Sequence, residues 1–262
     1  MNTVAPFNSA IAFVRSVESL HEQVQQAAQQ ATTAFQEGMQ RAAQMFAEAM
    51  AGYEQYATED EPEVIRVLTQ GCWIGMERHF TITQARAVLH IYKNDGEAAM
   101  NEAINGYFNK DNAALLTDMV KDWLKVPYLH DREPILRDAL SAHRAGQSTL
   151  TIPALLPLAD GLCAEILGIT RTDSVKILAQ DWQSREREVW VDLFRAVVDD
   201  LIYKNYSFAA DPAPYLTRHG ILHGRVADYW SPHNSTRVFL LLDAVADRWR
   251  ENQSALSVKA HA

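Results

Sequence analysis

From about Ile11 to about Tyr56 the chain has no proline and is rich in Ala, Gln and Glu. These residue types lose little side-chain freedom in a helix, and without proline no backbone N–H is missing from the ladder. Val17, Leu20, Val24, Ala27 and Ala31 recur at steps of three and four, and Phe35, Met39, Ala42, Phe46 and Met50 continue the stripe. That spacing predicts one long amphipathic helix, or two with a break near Gly38. Ala and Gln make a weak seam. The stripe therefore packs on the rest of the chain, self-associates as a coiled coil, or meets a membrane surface or partner helix. Few Lys and Arg residues argue against an anionic membrane.

The remainder points the same way. Among 262 residues, 48% are hydrophobic and Gly and Pro are few, which is enough for a core of one or two all-α domains. No strand pattern recurs. The net charge of −9 excludes a generally basic nucleic-acid binder, so any RNA contact must be local. Two cysteines, Cys72 and Cys163, make neither a disulfide framework nor a zinc site. No apolar run reaches membrane-span length and no signal segment opens the chain, so the expectation is a cytoplasmic protein without a membrane partner.

Composition shifts divide the sequence into a helical N-terminal region, 1–60, a middle region, 61–132, and a C-terminal bundle, 133–262. The acidic, Pro-containing stretch Thr58–Pro62 marks the first boundary. Gly71–Gly75 reads as a compact turn that sends Trp73 into a core. Asn94-Asp95-Gly96 should stop a helix that begins near Ile82, and helices follow over Ala98–Phe108 and Ala113–Leu124. Asp131 is expected as an N-cap, with Pro134 in the first turn and Ile135, Leu136, Ala139 and Leu140 inward. The His130-Asp131 dipeptide is of a kind used by metal-dependent phosphohydrolases, but no matching set of further His and Asp ligands can be placed on other helices. Ile152–Gly168 is apolar nearly all round and should be a central helix, interrupted by Asp160. A buried carboxylate needs a partner: backbone freed by Pro157, or an arginine such as Arg218. A long helix is expected within Thr172–Tyr203 and a loop over Lys204–Pro214. The last helix would be capped by Asn234 or Ser235, with Val238, Leu241, Leu242, Val245 and Trp249 inward.

The chemistry concentrates in Asp211–Arg225. Three of nine histidines lie between His219 and His233, near Arg218, Arg225 and Arg237. A guanidinium grips phosphate oxygens in a fork, and an imidazole exchanges a proton near neutral pH, so an Arg beside a His suits phosphate chemistry. Residues five apart on a helix sit about 140° from each other. Arg218 and His223 converge only if the helix begins inside the motif, near Gly220, or if two copies face each other. His219 and His223 share a helix face as a metal pair would, with no third ligand evident. Either Arg218 or His223 can also be structural, the first paired with Asp160 or with Asp199 and Asp200, the second a core histidine.

Arg218-His219-Gly220-Ile221-Leu222-His223 resembles the R-x-x-x-x-H signature of HEPN-type ribonucleases, with a polar residue straight after the Arg. Tyr229 and Asn234 to Arg237 resemble the continuation in an uncharacterised bacterial branch of that family, and Ile152 to Gly161 resembles a segment recurring there. The resemblance covers roughly residues 133–252 and not the N-terminal half. It implies an all-α fold: a C-terminal HEPN-like bundle, preceded here by the helical N-terminal region. It also implies a homodimer that cleaves RNA without a metal or other cofactor, leaving a 2′,3′-cyclic phosphate. His223 would move the proton and Arg218 would hold the phosphate, supported by His219, Asp160, Arg225, Tyr229 and Asn234. DNA specificity is not implied. The family setting implies a toxin or phage-defence role and an antitoxin or regulatory protein as partner. Arg225 stands where some members carry a Tyr that accepts nucleotidyl groups, and Tyr229 is out of register for it. The alternative is a catalytically silent HEPN-like binding or scaffold module whose N-terminal helix does the work.

Overall fold

The computed structural model describes residues 5–166 and 216–260. The fold is all-α, with no strand among the described residues. The chain divides into two compact units, Met1–Thr58 and Glu59–Ala262. The helix expected within 172–203 and the loop at 204–214 lie outside the described residues.

The first unit is one helix, α1, Ala5–Gln55, continuous through Gly38. A single glycine costs a helix about 1 kcal/mol, too little to break one flanked by strong helix formers. Phe35, Met39, Phe46 and Met50, four members of the apolar stripe, are exposed. A π turn, Tyr56–Asp60, follows.

In the second unit, α2 (Glu61–Gln70) carries Pro62 in its first turn, where no N–H is needed. The tight turn after it buries Trp73 completely. Next comes α3, Ile82–Trp123, opened by a capping box between Thr81 and Gln84. It is broken at Gly96 (φ 86°) and again over 110–113, where Asp111, Asn112 and Ala113 are left-handed. Both interruptions fall where turn-forming residues interrupt the apolar period. The short α4 (Pro127–His130), α5 (Glu133–Arg144) and α6 (Ser148–Ile166) complete the first half of the bundle. After the undescribed segment come the one-turn α7, Arg218–Leu222, and the long α8, Pro232–Ala260. α6 packs against both α5 and α8, α8 also packs on α3, α2 lies on α3, and α7 rests on α6. The division expected at 132/133 therefore falls inside one unit, because α3 is packed against both α5 and α8.

Several local expectations are corrected. Asp131 is the C-cap of α4 and not an N-cap; α5 starts at Glu133, with Arg132 as its N-cap. Leu136, Ala139 and Leu140 are buried as expected, but Ile135 is exposed. The cap of α8 lies at Ser231, whose Oγ accepts from the Asn234 N–H at 3.0 Å, just ahead of Pro232. A Ser followed by Pro is a stronger start signal than Asn234-Ser235, since the Pro fills N1 without losing a bond. Trp249 is half-buried, whereas every residue from Val238 to Asp243 is buried. α8 is thus enclosed on all sides over this stretch, a central position expected only for α6. Among the described residues, α6 is the one helix long and apolar enough to cross a membrane. Its Ile152, Leu155, Leu156, Ala159 and Leu162 are buried in the bundle.

Candidate functional site

The candidate motif folds into a short, doubly fixed turn. Thr217 opens α7: its Oγ1 accepts from the Gly220 N–H at 2.9 Å, and its carbonyl accepts from Ile221. At the other end the Gly224 N–H bonds to the Ile221 carbonyl and the Arg225 N–H to the Gly220 carbonyl. That pair of bonds is a Schellman stop, with Gly224 at φ 66° in the left-handed position that glycine takes without a steric cost. Gly220 is needed for a different reason. A Cβ there would sit 2.6 Å from Val226 Cγ2, so its absence lets the chain fold back over the turn.

Arg218 occupies the first position of α7. Its Nη2 lies 2.9 Å from Asp160 Oδ2 on α6, with the Arg side chain 36% exposed and the Asp 23%. The carboxylate inside the apolar helix thus takes its arginine from the motif, the second of the two partners considered for it. Arg218 Nε is buried and has no hydrogen-bond partner among the described residues.

His223 follows the last helical residue and is exposed. α7 begins at Arg218 and ends at Leu222, so the helix spans the motif and His223 lies just beyond its end. Arg225 is half-buried. The His219 side chain lies outside the described ones. Tyr229 and Asn234 are brought together differently: the buried Asn234 donates from Nδ2 to the Tyr229 carbonyl at 2.9 Å and accepts from Arg237 Nη1 at 2.8 Å. Their hydrogen bonds fix the start of α8. Among the described residues, no three His, Cys, Asp or Glu side chains are grouped as metal ligands.

Two side chains near Asp160 were not anticipated. The Tyr128 hydroxyl lies over Gly161, and the Arg132 guanidinium stacks on the Tyr128 ring at 3.7 Å. Burial pushes the Tyr128 phenol above its ordinary range, against the pull of the Arg132 charge and with help from Glu165 and Asp160. The signal available in the sequence was Gly161 itself, a glycine inside an otherwise apolar helix, which marks a close approach. A methyl at 161 would sit 1.8 Å from Tyr128 Oη. The half-buried Tyr128 ring can swing aside, so Gly161→Ala should cost no more than about 1 kcal/mol net of the better helix propensity of Ala. Urea unfolding of Gly161→Ala with and without Tyr128→Ala checks this. An equal cost in both backgrounds would show that the ring is not the cause.

A second polar cluster has the residue types of a nucleophilic triad. His143 Nδ1 is 2.7 Å from Ser235 Oγ, and Nε2 is 2.6 Å from Asn109 Oδ1. Ser235 is 1% exposed, however, so no substrate reaches its hydroxyl. The cluster ties α3, α5 and α8 together. Compared with family models, curated proteins and solved structures, the chain matches none.

Proposed function

We propose that this protein is a metal-independent endoribonuclease that acts as a homodimer, Arg218 of one copy and His223 of the other converging on one phosphate. The observation that carries the proposal is the pinned turn. Asp160 holds the Arg218 guanidinium at 2.9 Å, and His223 is exposed at the far end of the same capped helix. Two copies facing each other would bring the Arg218 of one and the His223 of the other to one scissile group. His223 removes the proton from a ribose 2′-hydroxyl, the 2′-oxygen bonds to phosphorus, and the bond to the 5′-oxygen breaks. That oxygen leaves with the proton that the His223 imidazolium returns, and a 2′,3′-cyclic phosphate remains. Arg218 holds the non-bridging oxygens and stabilises the charge that builds there. Asp160 is the positioning residue. With the chain at −9 overall, contact with RNA is confined to this surface. A toxin or defence role, with an antitoxin or regulatory partner, follows from the HEPN resemblance alone.

A second reading is favoured by one observation. The Arg218–Asp160 pair also serves as a plain tie between α7 and α6, and α1 displays Phe35, Met39, Phe46 and Met50. In that reading the bundle is a silent scaffold and α1 does the binding.

The test is an RNA cleavage assay with EDTA present, wild type beside His223→Ala, with product 3′ ends analysed. Removing the proton carrier should lower the rate about 100-fold or more, leaving thermal unfolding unchanged because His223 is exposed. Arg218→Ala should be similarly inactive. Equal cleavage by wild type and His223→Ala would exclude the motif, and no cleavage across diverse RNAs would favour the scaffold.

A further inference from the structure

A cleft of about 600 Å³ opens between the end of α2, the middle of α3 and the start of α8. Its volume falls within the range of small-ligand sites. Gly71, Ala99 and Leu216 supply apolar wall, and Arg237 supplies the charge. The Arg237 guanidinium stacks on the buried Trp73 ring at 4.5 Å. Nη1 donates to Asn234 Oδ1 at 2.8 Å and Nη2 to Asn101 Oδ1 at 3.2 Å. Asn101 is held in turn by the Trp73 Nε1–H at 2.6 Å. Among the described residues Nε has no hydrogen-bond partner and no carboxylate lies within ion-pair distance of this cation, although Glu97 acts on it from farther away.

Nε is sealed from solvent, so an anion in the cleft meets this half-buried guanidinium at its Nη ends, each of which has a second N–H beyond the bond to a neutral amide oxygen. The Trp73 ring and the two amides offset part of its desolvation, and a carboxylate arriving from solution would offset more. The surroundings restrict which anion. Glu97, Glu102 and Asp228 line the same cleft and are all exposed. Glu102 approaches His233 Nε2 at 3.2 Å, which leaves Glu97 and Asp228 as the acidic charge at the exposed edge of the cleft. A phosphate dianion or a nucleic-acid backbone is repelled there, whereas an ammonium group is welcomed.

We infer that this cleft binds a small zwitterion of the amino-acid class, its carboxylate on Arg237, its ammonium toward the mouth carboxylates, and its apolar body against Ala99 and Leu216. The cleft shares Asn234 with the residues that the HEPN resemblance recruits, but neither Arg218 nor His223 lines it, and the assignment does not depend on the ribonuclease reading.

Calorimetric titration of the full chain tests it with four probes: L-phenylalanine, phenylacetate, phenethylamine and inorganic phosphate. L-Phenylalanine should bind saturably and about tenfold or more tightly than phenylacetate or phenethylamine, and phosphate should not bind. Arg237→Lys should weaken L-phenylalanine about tenfold. Because Arg237 also holds Asn101 and Asn234, the exposed Glu97→Gln provides the second test: it should weaken L-phenylalanine severalfold while tightening phenylacetate. Phosphate binding as tightly as L-phenylalanine, phenylacetate weakened by Glu97→Gln, or saturation by none of the four would each overturn the assignment.

Discussion

Between about pH 7 and about pH 4 the folded state is expected to lose about 3 kcal/mol through His143 alone. Burial, helped by the neighbouring Arg144 charge, lowers the pKa of this imidazole from 6.5 to about 4. Its hydrogen bonds define the neutral form. Asn109 Nδ2 donates to the Asn105 carbonyl and to Thr236, which turns Asn109 Oδ1 toward the ring. His143 Nε2 therefore carries the proton, and bare Nδ1 accepts from the Ser235 hydroxyl. The sign follows from the two protonation states. Above 6.5 the ring is neutral whether folded or unfolded, and the contribution is complete. As pH falls toward about 4 the unfolded chain takes up a proton that the folded chain refuses, so stability declines. Below about 4 both forms are charged and the slope ends. Urea unfolding across this range, wild type beside His143→Gln, isolates the effect. If the two proteins lose stability in parallel, the buried network is not what makes the protein acid-sensitive.

Asp243→Ala is expected to destabilise the bundle by about 1–3 kcal/mol, the range for leaving a buried donor, here the Trp123 Nε1–H, without its acceptor. Asp243 is 5% exposed on the enclosed part of α8. It accepts from the buried Trp123 Nε1–H at 2.7 Å and lies 2.9 Å from His79 Nε2. Arg78 approaches it at 3.7 Å and also pairs with Asp247. Burial alone would push this carboxyl up, but the bonds from His79 and Trp123 and the charges of His79 and Arg78 hold it below the usual carboxylate range. Its contribution is thus complete above that range and is lost only as pH falls through the lowered folded value, in more acid solution than the His143 loss. Asp243→Asn keeps an acceptor for Trp123 and should cost about half as much or less. Thermal and urea unfolding of both variants checks the order. An Asn variant as unstable as the Ala variant would show that charge, and not the loss of the acceptor, dominates.

Helix is legible along most of this chain because its signals are local. The Pro-free run of α1, the stop at Gly96, the Pro-marked start of α2 and the glycine that ends α7 each act within a turn or two of backbone. Burial of Trp73 and of the apolar face of α6 followed from residue type and period. Asp160 announced that it needed a partner because a carboxylate inside an apolar helix is costly alone, and Arg218 was among the partners its chemistry allowed. What no local signal could settle is which elements meet. Asp243, on α8, bonds Trp123 on α3, and His143 joins Asn109 to Ser235 across three helices. Tyr128 finds the gap over Gly161 only once α4 rests on α6. Arg237 read as one more cation in the motif until Trp73 arrived beneath it from far along the chain. Propensity and capping are summed along the backbone, so a sequence displays them directly. The pairing of buried polar groups is a property of the packed helices, decided only when water has been excluded between them.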